Sequence, residues 1–151
     1  MTTNRLQGKK ILIGITGGIA AYKIPLLVRL LKKAHCEVQV VMTRNARRFV
    51  TVQTLATLSE RPVYSRAWQT EAELEHLDIR HIALADWADL VVIAPATANC
   101  IGKLAGGLAD DLLSTLLLTV TCPVLLCPAM TTSMYQNPIV RSEERRVGKE
   151  C

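Results

Sequence analysis

WADLVVIAPATANCIGKLAGGLADDLLS, residues 87–114, is the stretch from which the fold can be read. Its run Leu90-Val91-Val92-Ile93-Ala94 is apolar, rich in β-branched side chains and too short for a helix. That combination describes a strand buried on both faces of a parallel sheet. Pro95 has no N–H to give and is expected to end the ladder. Ala96-Thr97-Ala98-Asn99 then offers small and polar groups at the strand's carboxyl end, where open α/β sheets bind ligands. Thr97 or Asn99 is suited to cap the following helix, whose free N–H groups suit an anion such as phosphate. An ordinary capped turn accounts for these four residues equally well, so the neighbouring strands must decide.

Upstream, Lys10-Ile11-Leu12-Ile13-Gly14-Ile15 reads as the first strand and runs into Thr16-Gly17-Gly18-Ile19. Glycines there let the backbone turn tightly and approach a ligand. The spacing of Gly14, Gly17 and Gly18 matches neither GxGxxG nor a P-loop. Ile19 to Lys33 carries apolar residues at helical intervals, with Pro25 either delaying the helix or bending it. Glu37 to Met42 alternates like a strand and completes a βαβ unit, with Thr43-Arg44-Asn45 at its carboxyl end. Gly17, Thr43 and Thr97 therefore share one rim, which is more than a single capping turn needs. Arg47 to Leu58 is expected to be helical, Pro62-Val63-Tyr64 a short strand or extended connection, and Gln69 to Leu77 a surface loop with some helix, His76 in it being exposed. His81 lies between Ile79-Arg80 and Ile82-Ala83-Leu84. Histidine beside apolar residues is more often structural than functional.

Downstream, Leu104 to Val120 is expected to form two helical segments, broken at Gly106-Gly107 and reopened at Ala109-Asp110-Asp111. Val124-Leu125-Leu126-Cys127 reads as another buried strand, ended by Pro128, and places Ala129-Met130-Thr131-Thr132 on the same rim. Thr131 is suited to cap the helix containing Met134 and Tyr135. Strands alternating with helices argue a three-layer α/β/α, Rossmann-like architecture with a parallel sheet.

Composition narrows the function classes. The 151 residues are 50% hydrophobic but only 4% aromatic, enough for one core built of Leu, Val, Ile and Ala. The net charge of +5 is scattered, and Arg44, Arg47 and Arg48 form the one tight cluster before the carboxyl-terminal stretch. Without a basic stripe or aromatic platforms, a nucleic-acid surface is not expected, and the cluster reads as a solvated helix face. No apolar run is long enough to cross a bilayer, and no signal peptide is visible. The five cysteines form no CxxC pair or zinc spacing, so reduced thiols in the cytoplasm and no metal site are expected.

Several stretches, in this order and spacing, resemble the flavin-containing cysteine decarboxylase family over about residues 8–140. They are GITGGIAAYK (14–23), Met42-Thr43, HIAL (81–84), WADLVVIAPATAN (87–99), KLAGGLADDL (103–112), Pro128-Ala129-Met130, Met134-Tyr135 and Asn137-Pro138. The resemblance is nearest to members that decarboxylate 4′-phosphopantothenoylcysteine to 4′-phosphopantetheine in coenzyme A biosynthesis. It implies FMN bound across subunits of a homotrimer that can assemble further into a dodecamer. Gly17, Gly18 and Ile19 would lie against the flavin, Thr43 and Asn45 along its phosphate or ribityl side, and Thr97, Ala98 and Asn99 would complete the cradle with Ala129 near the ring. His81 matches the family's catalytic histidine, and Met130 and Thr131 fall at the substrate. Related peptidyl-cysteine decarboxylases, prenylated-flavin synthases and non-catalytic flavin-binding subunits are the alternative readings.

Two departures stand out. Where the family commonly has an asparagine holding the substrate's carboxylate, Thr131 offers one hydroxyl in place of an amide with two donors and an acceptor. The family also continues past Asn137-Pro138, through a flap with a cysteine that reprotonates the intermediate. Here residues 1–140 are expected to be a flavoprotein domain lacking its carboxyl end. Residues 141–151, RSEERRVGKEC, back-translate into a common sequencing-adapter sequence and are expected to be non-native. Cys151 is therefore not equated with the flap cysteine, and the chain as written is expected to be partly or wholly inactive even where it binds flavin.

Overall fold

Lys10–Ile15 forms β1, and its alternation decides the layering of the molecule. The structure is a computed structural model that describes residues 5–65 and 80–148. Ile11, Ile13 and Ile15 enter one apolar cluster, whereas Leu12 enters the other. Both faces of a strand are covered in this way only when helices pack on both sides of the sheet.

The same two-residue period sorts β2 (Glu37–Met42), where Val38, Val40 and Met42 join the first cluster and Val41 the second. In β3 (Leu90–Ala96), Val92 and Ala94 join the first and Val91, Ile93 and Ala96 the second. With β4 (Val124–Pro128) they form a four-stranded sheet of order β2-β1-β3-β4, parallel throughout. Register runs from Lys10 opposite Glu37 and Ile11 opposite Leu90 to Val91 opposite Val124.

After β1 comes a 3₁₀ turn, Ile19–Lys23, and then α1, Ile24–Lys33. Pro25 thus starts the helix late and does not bend it, since the first helical positions have no N–H bond to lose. After β2, a 3₁₀ turn at Asn45–Arg48 precedes α2 (Val52–Ser59), so the helix expected from Arg47 is two pieces. Thr51 explains the restart: its side chain accepts the N–H of Thr54 at 3.1 Å and caps α2. Residues 62–64 are an extended connection, with Tyr64 bridged to Val41 beside β2. The loop at Gln69–Leu77, with His76, lies outside the described residues.

Residues 80–87 form α3, with Leu84 and Ala85 buried in the second cluster. α4 (Ala98–Gly106) and α5 (Leu112–Leu117) follow β3. α4 therefore starts directly after the strand, before the position at which apolar periodicity becomes legible, and Gly107 ends it in the left-handed conformation at φ 67°. Two expectations about strands are corrected. β3 does not stop at Pro95, because Ala96 pairs with Pro128 beyond an irregularity in register. β4 is half exposed, not buried: it has one paired neighbour among the described residues, and Leu125 remains 52% exposed. The chain continues through α6 (Thr132–Gln136) to α7 (Pro138–Gly148). α7 packs along α4, with Val147 buried in the second cluster. No helix among the described residues is long and apolar enough to cross a membrane.

Candidate active site

Because all four strands are parallel, their carboxyl ends open on one side of the sheet, and a cavity of about 1070 Å³ lies there. Small-molecule pockets commonly measure about 300–1,000 Å³. From the end of β1 come Gly17, Gly18 and Ile19; from β2, Thr43 and Asn45; from β3, Thr97, Ala98 and Asn99; from β4, Ala129, Met130 and Thr131. The structure therefore gathers into one cavity all eleven positions that the sequence reading assigned to cofactor and substrate.

Local bonds explain how the rim is held. Thr16, buried at the end of β1, donates its hydroxyl hydrogen to the carbonyl of Pro95 and accepts the N–H of Thr97 at 3.2 Å. One side chain thereby locks the first rim loop to the third. Thr43 N–H donates to Ile15 at 2.9 Å, and its hydroxyl accepts the N–H of Ala46 at 3.3 Å, which fixes the 3₁₀ turn. Ala129 N–H reaches the carbonyl of Ala96 at 3.1 Å and ties the fourth loop to the third. Gly17 must be glycine for the rim to close, because a Cβ there would stand 2.5 Å from Cβ and 3.0 Å from the carbonyl carbon of Asn45.

Thr97 caps α4 by accepting the N–H of Cys100 at 3.3 Å. The first turn of such a helix still presents N–H groups with no intrahelical acceptor, and here they open on the cavity beside Ala98 and Asn99. Thr131 occupies the N-cap position of α6 without the capping bond expected of it. Its hydroxyl instead lies 3.2 Å from that of Ser133.

Lys103, Asp111, Ser114 and Cys100 are among the cavity-lining residues that the sequence reading did not assign to the site. Lys103 bridges Asp110 at 2.7 Å and Asp111 at 3.1 Å. Asp111 and Ser114 form a reciprocal capping box at the start of α5, with Ser114 N–H to the carboxylate at 2.8 Å and Asp111 N–H to the hydroxyl at 3.0 Å. The hydrogen bond from Lys103 holds the Asp110 carboxyl below its usual range, and Asp110 in turn raises the Lys103 ammonium. Burial, with a smaller contribution from the charge of Asp111, pushes the Cys100 thiol up to about 11. The seven- and eight-residue spacings from Lys103 to the two aspartates were visible in the sequence, but not that Gly107 folds the loop back to close them.

His81 is the exception. It is half buried on α3 and does not line the cavity within a single chain.

The chain is 50% identical over 132 residues to the coenzyme A biosynthesis bifunctional protein CoaBC of Vibrio vulnificus strain YJ016, which covers 87% of this chain and 32% of that protein. It thus spans about a third of the length of such curated relatives. Among solved structures, it is similar to the FMN-dependent cysteine decarboxylase TvaF from thioviridamide biosynthesis, with TM-score 0.84 and 28% identity over 94% of this chain and 86% of that one. A PPC decarboxylase mutant complexed with pantothenoylaminoethenethiol gives TM-score 0.78 and 29% identity, over 95% and 79%. The family model described as Flavoprotein matches residues 1–150. The chain therefore belongs to the Flavoprotein family.

Proposed function

We propose that this chain is the FMN-binding portion of an enzyme that decarboxylates 4′-phosphopantothenoylcysteine to 4′-phosphopantetheine, a step of coenzyme A biosynthesis carried out in the cytoplasm. The observation that carries the reading is the convergence of four strand ends, with every assigned cofactor and substrate position, on one cavity. The residues suit a flavin nucleotide. Gly17 and Gly18 present bare backbone to the cavity for a ring to lie against, Thr43, Asn45 and Asn99 supply polar groups for a ribityl chain, and the α4 N-terminus favours a phosphate. Bound FMN supplies a reversible electron acceptor for the cysteine side chain, which allows the carboxylate to leave as carbon dioxide. The protein's part is to orient the two molecules, exclude water and handle protons. His81 serves the last role as the catalytic residue, while Met130 and Thr131 contact the substrate.

Because His81 stays outside the cavity of its own chain, the reading includes a homotrimer in which a neighbouring copy completes the site. An apolar stripe supports this assembly: Ile19, Tyr22, Leu26 and Leu30 are 75%, 62%, 60% and 54% exposed, and the stripe begins at the cavity wall with Ile19. Stripes of this kind on soluble proteins mark interaction surfaces. Further assembly into a dodecamer belongs to the same reading.

The test is to add FMN to the purified protein, record its visible spectrum, and follow product and carbon dioxide with 4′-phosphopantothenoylcysteine. A protein-bound flavin spectrum is expected of this chain, and in the carboxyl-terminally extended protein turnover should fall by about a hundredfold or more in His81→Asn with flavin binding intact. Full turnover by His81→Asn removes the histidine's role, and a colourless folded protein removes the FMN site. Thr131 favours one second reading, a peptide with a carboxyl-terminal cysteine as substrate, and the same assay with such a peptide decides between them. The non-native origin of residues 141–151 is tested by sequencing the source locus. Divergence after about codon 140 is expected, and a native stop codon after Cys151 overturns it.

A further inference from the structure

Charge around the cavity is unevenly spent. Its charged lining residues are Arg44, Arg48, Lys103 and Asp111. Lys103 and Asp111 neutralise each other, with Asp110 as the third member of the cluster. Arg44 and Arg48 are exposed on the wall and make no ion pair among the described residues. They stand four residues apart, at the start and end of the short turn Asn45–Arg48, whose position is fixed by the Thr43 hydroxyl. Two guanidinium groups on one cavity wall with no carboxylate partner among the described residues offer an entering anion charge-assisted hydrogen bonds from both. Arg47, on the same turn, does not line the cavity. The basic cluster is therefore two arginines at the site and one outside it, not a uniform solvated face.

We infer that Arg44 and Arg48 form a clamp for a phosphate monoester dianion at the β2 edge of the cavity. Guanidinium groups match the geometry of phosphate oxygens bidentately and keep their charge at any working pH. The inference rests on the FMN-dependent reading above, and that reading offers two phosphates of this chemistry: the flavin's and the substrate's.

The experiment compares wild type with Arg44→Gln/Arg48→Gln, Arg44→Lys/Arg48→Lys and Arg47→Gln. Affinities for FMN and riboflavin are measured by flavin fluorescence. The FMN-loaded proteins are then titrated with 4′-phosphopantothenoylcysteine and with pantothenoylcysteine, which lacks the phosphate. The expected result is a drop of about tenfold or more in the preference for the phosphorylated member of one pair in the double glutamine variant. Partial recovery is expected with lysine and no change with Arg47→Gln. A drop confined to the flavin pair assigns the clamp to the cofactor, and one confined to the second pair assigns it to the substrate. Unchanged preferences in both pairs, or an equal drop in Arg47→Gln, overturn the clamp while leaving the flavin reading standing. A wild-type protein that binds neither flavin rejects that reading, and the clamp with it.

Discussion

Thr16 shows how much of the rim depends on one hydroxyl. It is buried and connects the carbonyl of Pro95 to the N–H of Thr97, so it fixes two loops whose sequence separation exceeds half the chain. Thr16→Val keeps the shape but leaves both backbone groups without this partner, and a loss of about 1–3 kcal/mol is expected. Urea denaturation checks this, and an unchanged midpoint would mean that water replaces the hydroxyl. Cys100 offers a second test at the same scale. Burial raises its thiol from 9.0 to about 11, so at pH 8 alkylation of the native protein should run about a hundredfold slower at Cys100 than in the unfolded chain. The sign for stability follows. The unfolded thiol ionises first, so the contribution is complete below about pH 9 and is lost as pH rises through about 11. Mass-spectrometric mapping of iodoacetamide adducts against pH measures the first effect, and rapid labelling of Cys100 at pH 8 would contradict the buried placement.

The elements show where sequence reading succeeds and where it stops. β1 and β2 were legible to the residue because short runs rich in Ile and Val, one nearly continuous and one alternating, are too short for helices and fit strands. β3 was read one pair short, since proline's missing N–H says nothing about pairing resumed at the next residue. β4 was read as buried from composition alone, although exposure depends on neighbours that an apolar run does not specify. The rim was legible because parallel strands must place their carboxyl ends together, whereas the Lys103 cluster required knowing how Gly107 turns the chain. That cluster joins α4 to α5 and carries its own pH signature. Asp110 ionises below its usual range because Lys103 is bonded to it, so its stabilising share is present above pH 3.8 and is lost as pH falls through the depressed value. Lys103→Met should therefore be less stable than wild type at pH 7, and the gap should close below about pH 4. Thermal melts across that range test it, and a gap independent of pH would assign the lysine to packing alone.

At the scale of the whole molecule, the position of His81 and the apolar stripe pose one question. A cavity that collects eleven assigned residues from four strand ends leaves the assigned histidine outside. The stripe from Ile19 through Tyr22 and Leu26 to Leu30 runs away from that same cavity along the 3₁₀ turn and the outer face of α1. A neighbouring copy seated on the stripe, as proposed above, would cover apolar surface and bring new side chains to the cavity mouth in a single step. Leu26→Asp places a charge at the middle of this surface without touching the buried face of α1, where Ile24 and Val28 lie. Sedimentation should show wild type as a trimer or larger and Leu26→Asp as smaller species with reduced flavin occupancy. A monomeric wild type that binds FMN and turns over would remove the need for assembly. The arrangement also makes a sharper demand on the chemistry. If cavity and histidine come from different copies, His81→Asn and a cavity variant such as Gly17→Trp, each inactive alone, should regain activity when unfolded together and refolded as mixed oligomers. Mixtures that assemble but stay inactive would place His81 in service of its own chain's cavity, reached by a movement of α3 rather than by a neighbour.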